Sequence, residues 1–246
     1  MRPRRLFALG DASAMGAAHG WWRWLGRQLR QPSGPGAALV GSAMALANRR
    51  PNRAAIDALE VAPTETVLEL GFGPGHALGT LTARASRVLG IDHSAAMLAQ
   101  AMRRNRRAIA ERRLQLRLGR FDALPWPAGC IDKVLAVNVV YFFRADAAEL
   151  REARRVLRPG GRMAVLAADR GAMARWKFAG SATHRLVDRQ ELLRLFASGG
   201  FAAAEVTVRS IALPFGISGL LGVAQKGACA EVAGGAVSRA DEGRRG

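Results

Sequence analysis

The sequence predicts an α/β fold: a seven-stranded, mostly parallel sheet with helices on both faces and an antiparallel hairpin strand at its C-terminal end. Three observations predict it. Short apolar runs alternate with helical stretches between residues 66 and 168, the pattern of strand–helix–strand units whose sheet is buried on both sides. A glycine-rich turn lies between the first run and the helix after it. Finally, two strand-like runs, 204–213 and 219–226, are joined through Pro214, Phe215 and Gly216. That join leaves no room for a crossover helix, so the two runs must pair antiparallel.

The elements follow in order. Residues 1–60 read as a helical N-terminal region. In 20–29, Trp21, Trp22, Trp24, Leu25 and Leu29 share one helical face and Arg23, Arg27 and Arg30 the other. Residues 31–36 break the chain, an apolar helix follows over 37–47, and another is expected over 52–59. The main domain, 61–227, opens with a strand at Thr66–Leu70 and a helix over 76–84. A strand at 87–91, a helix over 94–111 and strands at Leu114–Leu118 and Ile131–Val137 come next. The helix over 145–157 stops at Arg158, Pro159, Gly160 and Gly161, and the fifth strand spans 162–168. A helix over 188–198 precedes the hairpin. Residues 228–246 are small, polar and charged, the composition of a disordered tail.

Composition narrows the class. A chain of 246 residues with half of them hydrophobic suits one large domain, burying roughly 70–75% of its unfolded surface. Its two cysteines, Cys130 and Cys229, have no metal-ligand spacing, against a disulfide scaffold or a zinc site. The basic start at Arg2, Arg4 and Arg5 precedes an apolar run too short for a signal-peptide core, and no apolar stretch spans a bilayer. A cytoplasmic protein is expected. The net charge of +18 is almost all arginine. Residues 1–53 carry nine arginines against Asp11, and 103–120 carry eight against Glu111. These are either solvated faces or a surface for a polyanion, nucleic acid or anionic lipid.

The turn reads Glu69-Leu70-Gly71-Phe72-Gly73-Pro74-Gly75. Glycines let a backbone turn tightly and approach a ligand closely, and ligands of open α/β sheets bind beyond the carboxyl ends of the strands. The dinucleotide fingerprint fails, because its third glycine would fall on His76 or Leu78. A phosphate-binding loop fails too, since Gly75 is followed by His76 and Ala77 rather than by lysine and a hydroxyl.

The same motif resembles the first motif of the class I S-adenosylmethionine-dependent methyltransferases, in particular a broad bacterial group acting on small molecules, the methyltransferase type 11-like proteins. The resemblance runs from Thr66 to Lys226. It includes Asp92 at the end of the second strand, Asp122 after the third, and Arg155-Val156-Leu157-Arg158-Pro159-Gly160-Gly161 before the fifth. It implies a Rossmann-like class I methyltransferase fold and S-adenosyl-L-methionine as cofactor. Gly71, Phe72, Gly73 and Gly75 would lie along the cofactor's methionine part, with Glu69 orienting its amino group or else capping the loop. Asp92 would accept from the ribose hydroxyls, with His93 beside it. Met97 would touch the adenine or simply be core. Asp122 and Ala123 would meet the adenine amino group, and Asn138 would lie by the cofactor.

Asn138-Val139-Val140-Tyr141 lacks the two prolines that family members methylating adenine bases or glutamine carry here. A small-molecule or lipid-like acceptor is therefore expected, with an RNA methyltransferase or nucleic-acid-binding protein as the alternative. Methyl transfer to a good acceptor needs orientation and dryness more than a base. Where a base is needed, the candidates are His184, His76, His93 and Tyr141, of which Tyr141 could instead line the acceptor pocket. No metal site is expected. The tryptophan-bearing N-terminal helix would cover the pocket or lie on a membrane surface.

Overall fold

The computed structural model describes residues 49–173, 187–213 and 217–227. The expected helices over 20–29 and 37–47, the loop with His184 and the tail after 227 lie outside the described residues.

Seven strands form one sheet in the order β3-β2-β1-β4-β5-β7-β6. They are β1 (Thr66–Leu70), β2 (Arg87–Asp92), β3 (Leu114–Leu118), β4 (Ile131–Val137), β5 (Leu157–Ala168), β6 (Val206–Ala212) and β7 (Ser218–Gln225). β1 to β5 are mutually parallel; β7 runs antiparallel to β5 and to β6. The seven-stranded mixed sheet with its C-terminal hairpin is thus present. Its central parallel strands, β1 and β4, are mostly apolar and buried because both faces are covered, whereas the edge strand β3 alternates. On one face lie α1 (Arg49–Leu59), α2 (Leu78–Thr82) and α3 (Ala95–Arg104), through Ile56, Leu59, Leu78, Leu81 and Ala101. On the other lie α5 (Ala148–Val156) and α7 (Arg189–Ser198), through Leu150, Ala153, Val156, Leu192 and Phe196. α4 (Arg106–Ala110) and the short α6 (Arg170–Met173) are the remaining α-helices among the described residues.

Three of the boundaries that differ from expectation do so for an identifiable local reason. The single helix expected over 94–111 breaks at Asn105, whose side-chain amide donates to Ala101 O at 2.9 Å and Gly75 O at 3.1 Å. A side chain that bonds backbone competes with the helix ladder. The helix expected from 145 begins at Ala148, because Asp146 Oδ1 accepts from Ala148 N and Ala147 takes a left-handed φ of 54°. The fifth strand starts at Leu157 rather than after Gly161. The Pro-Gly-Gly stretch does end α5, but the sheet absorbs it as an irregularity in the β4 pairing. Gly160 N donates to Lys226 O and Lys226 N to Gly161 O, both at 2.8 Å.

Strand order reverses between β1 and β4, the place where open α/β sheets form a ligand crevice. Both strands end there, β1 into the glycine turn and β4 into Asn138. α1, the last helix of the expected N-terminal cap, packs directly on the sheet and donates no separate core; Arg162 Nη1 reaches its Ala58 O at 3.3 Å. Among the described residues no helix is long and apolar enough to cross a membrane.

Candidate functional site

The glycine turn bends across β2. Gly71 N donates to Ile91 O at 2.8 Å, and Gly75 N closes on Phe72 O at 2.9 Å. Gly71, Gly73 and Gly75 all have positive φ, at 67°, 53° and 79°. Their surroundings differ. A Cβ on Gly71 would meet Val139 Cγ2 at 2.7 Å, and one on Gly75 would meet Asn105 and Ala101 at 2.7 and 2.8 Å. A Cβ on Gly73 would meet nothing within 4 Å. Gly71 and Gly75 are therefore required by packing, whereas Gly73 exposes its backbone to open space at the crevice. The Phe72 side chain turns into the core against Gly90, so only its backbone faces the turn.

Two buried carboxyls flank this turn. Asp92 ends β2 and accepts from Gly73 N at 2.8 Å on Oδ2 and from Ser94 N at 2.9 Å on Oδ1. Burial raises its pKa, an effect opposed by these backbone donors and by His93. Ser94 caps α3 by accepting from Met97 N at 3.3 Å. Glu69, only 3% exposed on β1, is placed otherwise: its Oε2 has no hydrogen-bond partner. Burial, with Asp92 adding to it, pushes its pKa up to about 8. An acid that is buried, unpaired and beside another acid is short of a cation or donor.

The remaining expected residues gather around the same edge. His93 is half-exposed, with its ring edge-on to Phe121 and Phe142 at centroid distances of 6.0 and 6.4 Å. Met97 is buried and Ala123 is exposed. Asp122 is engaged by arginines: Arg120 Nε donates to Oδ1 at 2.8 Å, Arg120 Nη2 holds Oδ2, and Arg144 Nη1 lies 3.6 Å from Oδ2. The Arg120 hydrogen bond is the main cause of its lowered pKa. Asn138, at φ 55°, leaves β4 and donates its backbone N–H to Leu166 O at 2.8 Å. Tyr141 OH donates to Asn138 Oδ1 at 3.3 Å and accepts from Ala168 N at 2.5 Å, bridging the ends of β4 and β5. Burial pushes the Tyr141 phenol far above its ordinary pKa. It therefore stays protonated near neutrality and braces the site rather than abstracting a proton. His76 is half-buried, with Nε2 unpartnered, and its pKa is lowered by burial and then by Arg104 and Arg49.

Several residues escaped the sequence reading. Asn105 pins the glycine turn from α3, and Arg104 Nε donates to Pro74 O at 3.1 Å. Glu152 and Arg155 on α5 hold the loop after Asp122: Glu152 Oε2 accepts from Leu124 N at 2.9 Å, and Arg155 donates to Leu124 O and Trp126 O, each at 2.9 Å. An asparagine inside a helical pattern was the available signal for the first. Arg155 was visible only as part of a turn motif. Among the described residues no group of three His, Cys, Asp or Glu is placed to hold a metal ion.

A family model of the methyltransferase domain matches residues 68–165, the span from β1 to β5. YdaC, an uncharacterized methyltransferase of Bacillus subtilis (strain 168), is 33% identical over 138 residues, covering 55% of this chain and 74% of that protein. The chain belongs to the class I S-adenosylmethionine-dependent methyltransferases. Within that family, the demethylmenaquinone methyltransferase of Thermus thermophilus is 41% identical over 128 residues, 49% of this chain and 54% of that enzyme. For most of the curated relatives it matches, this methyltransferase-family chain spans about half their length or less. A solved structure, geranyl diphosphate C-methyltransferase from Streptomyces coelicolor A3(2) with Mg2+, geranyl-S-thiolodiphosphate and S-adenosyl-L-homocysteine, superposes with a TM-score of 0.58. It covers 72% of this chain and 75% of that one, and at 16% identity it shares the fold.

Proposed function

We propose that this protein transfers the methyl group of S-adenosylmethionine to a small-molecule or lipid-like acceptor, and that it works in the cytoplasm. The observation that carries the reading is Glu69: a buried acceptor without a donor, beside a glycine turn that opens to space only at Gly73. The cofactor's methionine part carries an ammonium, which matches that unpaired acceptor in both charge and hydrogen-bonding sense. Asp92 spends one lone pair of each oxygen on the Gly73 and Ser94 amides, and a carboxylate oxygen has another left for a ribose hydroxyl. Asp122 and Ala123 would meet the adenine, and Arg120 and Arg144 share the Asp122 oxygens.

When bound, the cofactor supplies a methyl carbon on a sulfonium, open to in-line displacement. The protein's own contribution is placement and dryness. Asn138 and Tyr141 form a fixed ledge at the ends of β4 and β5. Phe142 and Phe121 crowd the half-exposed His93, and His93 or His184 would serve an acceptor whose proton must leave early. The relatives named for demethylmenaquinone and geranyl diphosphate favour an apolar, prenyl-like acceptor. Thermal melting with S-adenosylhomocysteine tests the cofactor reading. A stabilising shift is expected, and Asp92→Ala should remove most of it; a wild type that does not shift would sink the reading.

A further inference from the structure

The arginine run 103–120, of which the site engages Arg104 and Arg120, folds onto one margin of the molecule. It covers the end of α3, all of α4 and β3, the outermost strand of the sheet. All eight of its arginines are exposed. Counter-charge is scarce there. Glu111, the one acid of the segment, is shared by Arg107 and Arg113 at 2.8 and 3.1 Å, and Arg120 is taken by Asp122. Arg103, Arg106 and Arg112 have no ion-pair partner among the described residues. Eight arginines less one glutamate leave a margin of +7. An uncompensated cluster of guanidinium groups matches phosphate in geometry as well as charge.

Two features decide between a membrane and a nucleic acid. The large hydrophobic side chains exposed among the described residues are Met102, Leu118 and Leu193, and the first two, 48% and 52% exposed, lie in or beside this run. Exposed rings on which bases would stack are missing among the described residues of the margin: the nearby Trp126 is half-buried, with Arg117 over it at 5.7 Å. Basic groups interleaved with exposed aliphatic ones suit the headgroup layer of a bilayer. The carboxyl end of β3 also leads directly, through Gly119 and Arg120, into Asp122 at the rim of the candidate site.

We propose that the α3–α4–β3 margin docks on an anionic phospholipid surface, with Arg103, Arg106 and Arg112 on lipid phosphates and Met102 and Leu118 against the acyl boundary. The test is partition of the full chain onto phosphatidylcholine vesicles with and without phosphatidylglycerol at physiological ionic strength. Binding should require phosphatidylglycerol and fall with added salt. R103E/R106E/R112E should weaken it by roughly a hundredfold, since each basic residue near such a surface contributes about a factor of five. The corresponding triple lysine variant should keep it. Both variants should retain the wild-type melting temperature and its response to S-adenosylhomocysteine, so a misfolded variant or an absent cofactor site is read separately from lost docking. Equal partition of wild type and the glutamate variant overturns the proposal, as does a wild type that ignores phosphatidylglycerol. Salt-sensitive binding to an RNA oligonucleotide without vesicle binding overturns it in favour of nucleic acid.

Discussion

Glu69 and Asp92 stand on neighbouring parallel strands with opposite needs: Asp92 accepts two backbone N–H groups, whereas Glu69 Oε2 accepts none. The pair makes the site acid-rich and leaves Glu69 protonated at neutral pH, with a pKa of about 8 against an ordinary 4.5.

That raised value gives stability a direction with pH. Between about pH 4.5 and about pH 8 the folded chain holds a proton on Glu69 that the unfolded chain has lost. Stability therefore falls as pH rises through this window, by up to about 1.4 kcal/mol per unit. Glu69→Gln carries no such proton, so in urea unfolding it should become progressively more stable than wild type as pH rises. A cationic ligand prefers the ionised acid, so S-adenosylhomocysteine should release close to one proton on binding near neutrality. Calorimetry in buffers of different ionisation enthalpy measures that release, and Glu69→Gln should abolish it while binding more weakly.

The three glycines of the turn should separate stability from binding. Gly71→Ala drives a Cβ to 2.7 Å from Val139 in a left-handed backbone, which should cost about 2–4 kcal/mol through overpacking and φ strain together. Gly73→Ala meets open space and should cost only about 1 kcal/mol, from φ alone. Its loss should appear instead in affinity for S-adenosylhomocysteine, where the new methyl stands in the ligand's path. Melting curves with and without ligand distinguish the two, and a Gly73→Ala variant with unchanged affinity would remove the turn from the binding site.

Tyr141→Phe removes the hydroxyl between Asn138 and Ala168 and leaves the Ala168 N–H without its acceptor. A cost of about 1–3 kcal/mol in unfolding free energy is expected. Because burial holds the phenol protonated, the shape of the rate–pH profile should not change. Loss of a titrating limb together with a fall of about a hundredfold or more in kcat would instead mark Tyr141 as the general base.

What the sequence makes legible, and what it hides, follows from the range of the forces involved. β1 and β4 are visible because strands buried on both faces are mostly apolar over a short span. The hairpin is visible because its connection is too short for anything else. Asp92 could be placed because it ends a strand. The break at Asn105 depends on Gly75, thirty residues away, and helical periodicity carries no trace of it. Nor does sequence distinguish Gly71 from Gly73, since the difference is Val139 arriving from the loop after β4. The early start of β5 is hidden because proline and two glycines normally end an element; only the β4 pairs on either side of them and the bonds to Lys226 carry them within the strand.

The loop after Asp122 offers the sharpest test of how a residue remote from the ligand positions one that touches it. Arg155 and Glu152 form their own pair, Nε to Oε1 at 2.7 Å, and together grip Leu124 and Trp126 by their backbones. Glu149 adds a second hold from the same helix by accepting from Arg144 N at 3.0 Å, and Arg144 in turn leans on Asp122. Arg155→Met leaves the carbonyls of Leu124 and Trp126 to water and frees the loop. The variant should fold, since the loop is only partly buried, and should bind S-adenosylhomocysteine about tenfold more weakly, the equivalent of one well-placed hydrogen bond. S-inosylhomocysteine separates positioning from general damage, because it lacks the 6-amino group that Asp122 would receive. If α5 acts by holding Asp122 and Ala123 against the adenine, Arg155→Met should weaken the inosyl ligand much less than the adenosyl one. Equal weakening of both would show that α5 supports the fold alone.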